Sequence, residues 1–356
     1  MLQALVVARE DRSAGGPGDR RLVAYVVQRE AAVPETADDQ VSGWGELFDD
    51  IYRDETAGSD PTFNIIGWNS TYTGEPLPRA DMVEWLDDTI GRIAGLAPHR
   101  VLEIGCGTGM ILWKIAPGAE LYTGTDVSAR ALAYIESRLG RVPGIDPARI
   151  RLVHGSAEDL ADLEAGSFDT AIINSVAQYF PGADYLAAVI ARLVELVRPG
   201  GAIFLGDLRS LPLLEAFHTS LEVDQAAPEM PIDRLRQKIQ IRRLQENELA
   251  IDPAFFTTLR HRLPGIGRVE IHAKRGRAHN ELTGYRYQAV LRLGRPATAP
   301  EISWLDGTAQ RLTLPALRQL LTHGTPEILG LRNLPNARTA EAAAAVRLLR
   351  ADDAAI

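Results

Sequence analysis

The sequence predicts an α/β fold, a mostly parallel seven-stranded sheet doubly wound with helices on both faces. Three observations carry this. From Arg100 onward, short apolar runs alternate with helical patterns, the signature of βαβ units. The first of these runs, "RVLEI", leads straight into Gly105, Gly107 and Gly109 and then into a second apolar segment. That is a strand, a tight turn and a helix start. Finally, 356 residues with 46% hydrophobic and 24% charged content are enough to bury a large core.

In chain order, "LQALVVA" and "RLVAYVVQ" read as two strands joined by a polar, glycine-rich loop. Two strands alone are marginal in water, so this pair needs a partner sheet. "REAAVPETADDQVS" reads as a linker and "GWGELFDDIYRDE" as a short amphipathic helix. "FNIIGWNSTYTGEPLP" reads as an ordered aromatic loop. Met82, Val83, Leu86, Ile90 and Ile93 then repeat at helical spacing. "VLEI", "LYTGTD", "IRLVHG", "FDTAIIN" and "GAIFLGDL" are the parallel strands. "ARALAYIESRL" and "ADYLAAVIARLVELV" are helices between them. "GRVEIHAK" and "YRYQAVLRL" close one sheet edge as an antiparallel pair. Beyond Ala297, "LTLPALRQLLTHG" and "TAEAAAAVRLLRA" make the tail mostly helical.

A net charge of -9 disfavours nucleic-acid and membrane-surface partners, whose phosphates would be repelled. The single cysteine, Cys106, allows no internal disulfide and fits a reducing cytoplasm. It reads as a small residue in a tight loop. The seven histidines show no ligand spacing, so no metal site is expected. The run "RLRQKIQIRRLQENE" reads as an exposed helix, with an acidic carrier protein as a possible contact.

The glycine turn lies at the carboxyl end of the sheet, where doubly wound folds bind ligands. Its glycines let the backbone approach a ligand, and helix-start amides point into the space. The spacing departs from a dinucleotide fingerprint: the third glycine comes one residue early, and Met110 stands in its place. Glu103 beside the loop would repel a pyrophosphate and suits an ammonium group. Asp126, ending the next strand, is placed to accept from ribose hydroxyls.

This combination resembles the Rossmann-like class I S-adenosylmethionine (SAM) methyltransferases. The resemblance implies that Glu103 and the backbone of Gly105, Gly107 and Gly109 hold the methionine end. It implies that Asp126, with Val127, holds the ribose, and that Ser156, Ala157 and Glu158 of "HGSAED" surround the adenine. Asn174 and Ser175 would line the cofactor near its methyl.

Four stretches narrow the resemblance: "GWNSTYTGEPLPRADMVEW", "NSVAQYFPGADYL", "GDLRS" and "NELTGYRYQAVL". Together they look like the N-methyltransferase domains embedded in adenylation domains of nonribosomal peptide synthetases. Gly284 departs from that family, which often has a larger, basic residue there. "LVVAREDRSAGGPGDRRLVAYVV" and "LRNLPNARTAEAAAAVRLL" resemble the adenylation subdomain on either side of such an insertion. The implied organisation is 1–35 adenylation-like, 36–297 methyltransferase and 298–356 the returning adenylation segment. The implied partners are a peptidyl carrier protein with a phosphopantetheine-bound amino acid and the adenylation domain of the same synthetase.

The reaction implied is methyl transfer to the α-amine of a carrier-bound aminoacyl thioester. Asn174 and Gln178 would orient the amine and Tyr179 would close the pocket. Asp207, Arg209 and Glu281 would contact substrate or accept a proton. Trp68 and Tyr72 would cover the sulfonium by cation–π contact. The bland readings are packing for the aromatic loop, mutual pairing of Asp207 with Arg209, and a surface charge for Glu281. His218 could serve as a base, although a lone histidine after an active-site strand is more often structural. No His–Glu pair is visible in the sequence, which favours nitrogen over the O- or C-methylation alternative. A non-catalytic scaffold is the remaining alternative.

Overall fold

The computed structural model describes residues 3–10, 20–27, 37–52, 60–295, 302–322 and 328–351. The linker around residues 28–36, His323 and the boundary near Ala297 lie outside them. Strands β1 (Gln3–Glu10) and β2 (Arg20–Val27) pair antiparallel, as read. Helix α1 spans Ala37–Ile51 and so begins inside the stretch read as linker. Helix α2 spans Arg79–Ala94 and buries Met82, Trp85, Leu86, Thr89 and Ile93, whereas Val83 is exposed. Trp85 takes the core position because it lies three residues from Met82 and four from Thr89 on one helical face.

The main sheet begins with β3 (Arg100–Ile104), followed by α3 (Leu112–Ile115), β4 (Leu121–Asp126), α4 (Ala129–Glu136), β5 (Ile150–His154) and β6 (Phe168–Asn174). Next come α5 (Ala183–Leu196), β7 (Val197–Arg209), α6 (Leu214–Asp224), α7 (Ile232–Leu244), α8 (Ala254–Arg262), β8 (Ile266–Ala273), α9 (Glu281–Tyr285) and β9 (Arg286–Leu293). The seven strands lie in the order β5-β4-β3-β6-β7-β9-β8. The first five are parallel, and β9 runs antiparallel to both β7 and β8. The join between β8 and β9 contains α9.

Period-two alternation divides the core between the faces of the sheet. Leu102, Ile173 and Leu205 pack with α5 and α8. Their neighbours Val101, Ile172 and Phe204 pack with α2, α3 and α4. All seven residues of β6 are buried, as a central strand covered on both faces requires. The tail holds β10 (Ser303–Asp306), α10 (Leu314–Thr322), β11 (Leu329–Arg332) and α11 (Ala340–Ala351). β10 and β11 form a small parallel pair inside a tail that reads as mostly helical. No helix of the described residues is long and apolar enough to cross a membrane.

Candidate active site

A cavity of about 740 Å³ opens at the carboxyl ends of β3, β4, β6 and β7. Its first wall is the glycine turn. The amides of Gly105 and Cys106 both donate to Thr125 O, at 2.8 and 2.9 Å, which ties the turn to β4. Gly105 has φ +70°, and a Cβ there would meet Val176 Cγ2 at 2.3 Å. Only glycine suits that backbone and that approach. Gly109 borders no part of the cavity and packs against Trp113 and Ile135. Its role is close packing of the turn on its helix, not the ligand contact expected of it.

Glu103 projects from β3 at 2% exposure and borders the cavity. Tyr122 Oη donates to its Oε2 at 2.6 Å. Burial pushes its pKa up to about 8; the bond from Tyr122 opposes this and the charge of Asp126 adds to it. Asp126 accepts from the amides of Gly107 (2.7 Å) and Ser128 (2.8 Å). Burial raises its pKa despite those bonds. Val127, Gly155 and Ala157 continue the same wall. Ser156 and Glu158 do not. The Ser156 amide closes onto Asp159 Oδ2 at 2.7 Å, and Glu158 is exposed. Of the three residues in that turn, one reaches the cavity.

The aromatic cover differs from expectation. Trp68 borders the cavity and packs on Trp85 at 4.7 Å. Tyr72 does not border it; its hydroxyl is 2.7 Å from Ser220 Oγ, which Tyr285 Oη also reaches at 3.0 Å. The other aromatic wall comes from α1, where Trp44, Phe48 and Tyr52 border the cavity. Trp44 and Phe48 lie 4.6 and 5.1 Å from the ring of Tyr179. Ser128 Oγ, donating to Asp49 Oδ1 at 2.6 Å, fastens α1 to the start of α4. The spacing of Trp44, Phe48 and Tyr52 at four residues was the available signal.

Asn174, Ser175, Gln178, Tyr179, Arg209 and Glu281 all border the cavity. Two buried amide oxygens, Asn174 Oδ1 and Gln178 Oε1, have no hydrogen-bond partner. Asn174 lies over Gly206, where a Cβ would come within 2.0 Å of Asn174 Oδ1. Gly206→Ala is therefore expected to displace Asn174 and lower methyl transfer by about 100-fold, since misplacing a positioning group costs about that much. A crystal structure of the variant with Asn174 unmoved would contradict this.

Asp207 is fully buried beneath the cavity rather than bordering it. It accepts from Trp85 Nε1 and Ser175 Oγ, both at 3.0 Å, and from Arg286. Burial works to raise its pKa, but Arg286 and Lys274, with those bonds, outweigh it and hold the carboxyl below the usual range. Both Ser175 and Asp207 have φ +59°, an uncommon conformation concentrated at functional sites. Asp207 and Arg209 do not pair. Arg209 holds Glu246 through both oxygens, at 2.7 and 2.6 Å; residues two apart on a regular strand share a face, but the left-handed backbone at Asp207 and the register shift before Leu208 break that alternation. Glu281 is no surface charge: at 4% exposure it accepts from the Thr71 amide at 2.6 Å. A His–Glu pair does exist, with His218 Nε2 3.2 Å from Glu246 Oε2. The sequence hides it because 28 residues separate the two.

These residues suit SAM. Glu103 offers a buried carboxylate to its ammonium, the glycine turn gives close backbone approach, and Asp126 stands at the end of β4. Residues 102–203 match the family model described as a methyltransferase domain. Chondramide synthase from Chondromyces crocatus is 42% identical over 344 residues, covering 94% of this chain and 9% of that protein. Nonribosomal peptide synthetase asqK from Emericella nidulans is 38% identical, covering 98% of this chain and 14% of that protein. A beauvericin nonribosomal cyclodepsipeptide synthetase from Gibberella fujikuroi is 34% identical, covering 98% and 11%. Among solved structures, the N-methyltransferase NodS from Bradyrhizobium japonicum with S-adenosyl-L-homocysteine matches at 18% identity and a TM-score of 0.40, covering 59% of this chain and 87% of that chain.

The chain thus carries a class I SAM-dependent methyltransferase domain. It is of the type found in nonribosomal peptide synthetases, and it spans 9% to 14% of the length of the three synthetases named.

Proposed function

We propose that this chain methylates the α-amine of an aminoacyl thioester held on the phosphopantetheine arm of a peptidyl carrier protein. The observation that carries the choice of nitrogen is the pair of unpartnered buried acceptors, Asn174 Oδ1 and Gln178 Oε1, on the cavity that Glu103 and Asp126 also border. A buried acceptor without a partner costs about 1–3 kcal/mol, a cost removed when a ligand N–H donates to it. A primary amine supplies such donors. SAM held there would supply an electrophilic methyl on its sulfonium. The chain's own part is to orient the amine, exclude water with Trp44, Phe48 and Tyr179, and hold the methionine end at Glu103. The synthetase relatives support an assembly-line setting in the cytoplasm. In that setting 1–35 and 298–356 belong to a host adenylation subdomain around a methyltransferase domain at 36–297.

The test is mass spectrometry of a carrier protein loaded in turn with a panel of amino acids and incubated with the chain and SAM. A methyl on the α-nitrogen is expected. Asn174→Ala and Gln178→Ala are each expected to slow transfer by about 10–100-fold, with SAM affinity changed less than about threefold. A methyl found only on oxygen or carbon would overturn the reading. The contact between His218 and Glu246 favours that second reading, since hydroxyl and carbon acids need a base. Arg209 already occupies both oxygens of Glu246, which leaves that carboxylate less basic.

A further inference from the structure

Helix α6 brings Phe217, His218 and Leu221 to the cavity that Asn174 and Gln178 border. The His218 ring is 3% exposed, and its Nδ1 has no hydrogen-bond partner. Nε2 faces Glu246 Oε2 at 3.2 Å, which favours the tautomer with the proton on Nε2 and a free lone pair on Nδ1. Arg209 holds Glu246 through both oxygens, including the Oε2 that His218 faces. Burial works to raise the pKa of Glu246, but His218 and Arg209 outweigh it and keep the carboxyl ionised.

Of the other charged groups that border the cavity, Glu248 pairs with Arg209 at 3.1 Å and Arg286 pairs with Asp207. Tyr285 of α9 and Tyr72 of the aromatic loop are both tied to Ser220. Arg242 of α7 is held by Glu222 on α6 itself. None of these takes a proton from His218.

We propose that His218 is the catalytic base that removes a proton from the acceptor ammonium, with Glu246 and Arg209 as positioning residues behind it. This rests on the reading of amine methylation given above. An N–H bond of the ammonium breaks, its electron pair stays on nitrogen as the nucleophilic lone pair, and the proton becomes Nδ1–H of an imidazolium. Glu246 stabilises that imidazolium, which returns the proton to water after product leaves. An α-amine with a pKa near 8 is about one-tenth neutral at pH 7. A base therefore gains up to about tenfold at neutral pH.

The test compares the intact chain with His218→Gln and His218→Asn on two acceptors, alanyl and trifluoroalanyl pantetheine thioesters. Fluorine withdraws electrons and leaves the second amine largely neutral at pH 7. On the alanyl acceptor at pH 7 both variants are expected to lose about tenfold, and the loss is expected to shrink as pH rises past the amine pKa. On the trifluoroalanyl acceptor the variants are expected to match the unaltered chain within about threefold, and SAM affinity measured by calorimetry is expected to hold in all three. Equal losses on both acceptors, or a loss independent of pH, would assign His218 a structural role and overturn the proposal. No loss on the alanyl acceptor would overturn it as well. If the unaltered chain binds SAM but methylates neither nitrogen, the reading of amine methylation falls and this proposal with it.

Discussion

Glu103→Gln is expected to weaken SAM binding by about 10–100-fold, because it removes a hydrogen-bonded charge opposite an ammonium, worth about 1.5–3 kcal/mol. Glu103→Ala is expected to cost more, since it also leaves the Tyr122 hydroxyl buried without its 2.6 Å partner. The carboxyl must ionise to meet a cation, and burial holds its pKa at about 8 in the free protein. SAM affinity should therefore rise about tenfold per pH unit up to about pH 8 and fall above it as the SAM ammonium loses its proton. Near neutrality, binding should release a proton to buffer. Calorimetry in buffers of different ionisation enthalpy reads this directly, and a flat profile would contradict it.

The same shift has a consequence for folding. The folded-state pKa of Glu103 is raised above its unfolded value, so protonated Glu103 favours the folded chain. That contribution is fully present below about pH 4.5 and is lost as pH rises through about 8. The loss amounts to about 5 kcal/mol. Glu103→Gln, which cannot ionise, should flatten this part of the stability profile in the absence of SAM.

Asp207→Ala is expected to destabilise the fold by about 3–5 kcal/mol, the cost of breaking a buried ion pair from one side. It strands the Arg286 guanidinium and the Trp85 indole N–H, and it places alanine at φ +59°. That is a large share of a typical stability of about 5–15 kcal/mol. Asp207→Asn should recover part of the loss, because it keeps an acceptor and tolerates the left-handed backbone better. Urea unfolding that shifts by less than about 1 kcal/mol in Asp207→Ala would show that Asp207 is not the anchor described. The carboxyl is held below its usual pKa, so its contribution is present above the ordinary carboxylate range and is lost as pH falls through the folded value.

The sequence by itself determined the sheet and the glycine-turn wall of the cavity. Both are written in local patterns: strand periodicity, a glycine turn after "VLEI", and an acidic residue at the end of each of two strands. Glu103, Gly105, Gly107 and Asp126 border the cavity because a strand end and a turn place them there whatever packs around them. Gly109 was misassigned because a glycine needed for φ +86° against Trp113 looks, in sequence, like a glycine needed for a ligand.

Only the tertiary structure decided the acceptor end. Asp207 meets Trp85 across 122 residues and Arg286 across 79, Arg209 meets Glu246 across 37, and Glu281 meets Thr71 across 210. No periodicity reports such pairings, since they follow from strand register and helix docking. Adjacent Asp207 and Arg209 lie on one face in sequence terms, yet the left-handed turn at Asp207 sends them to different partners. The wall of Trp44, Phe48 and Tyr52, and the unpartnered Nδ1 of His218, became visible once α1 and α6 had closed on the cavity. Burial and desolvation give those groups their chemistry, and burial is a property of the folded chain.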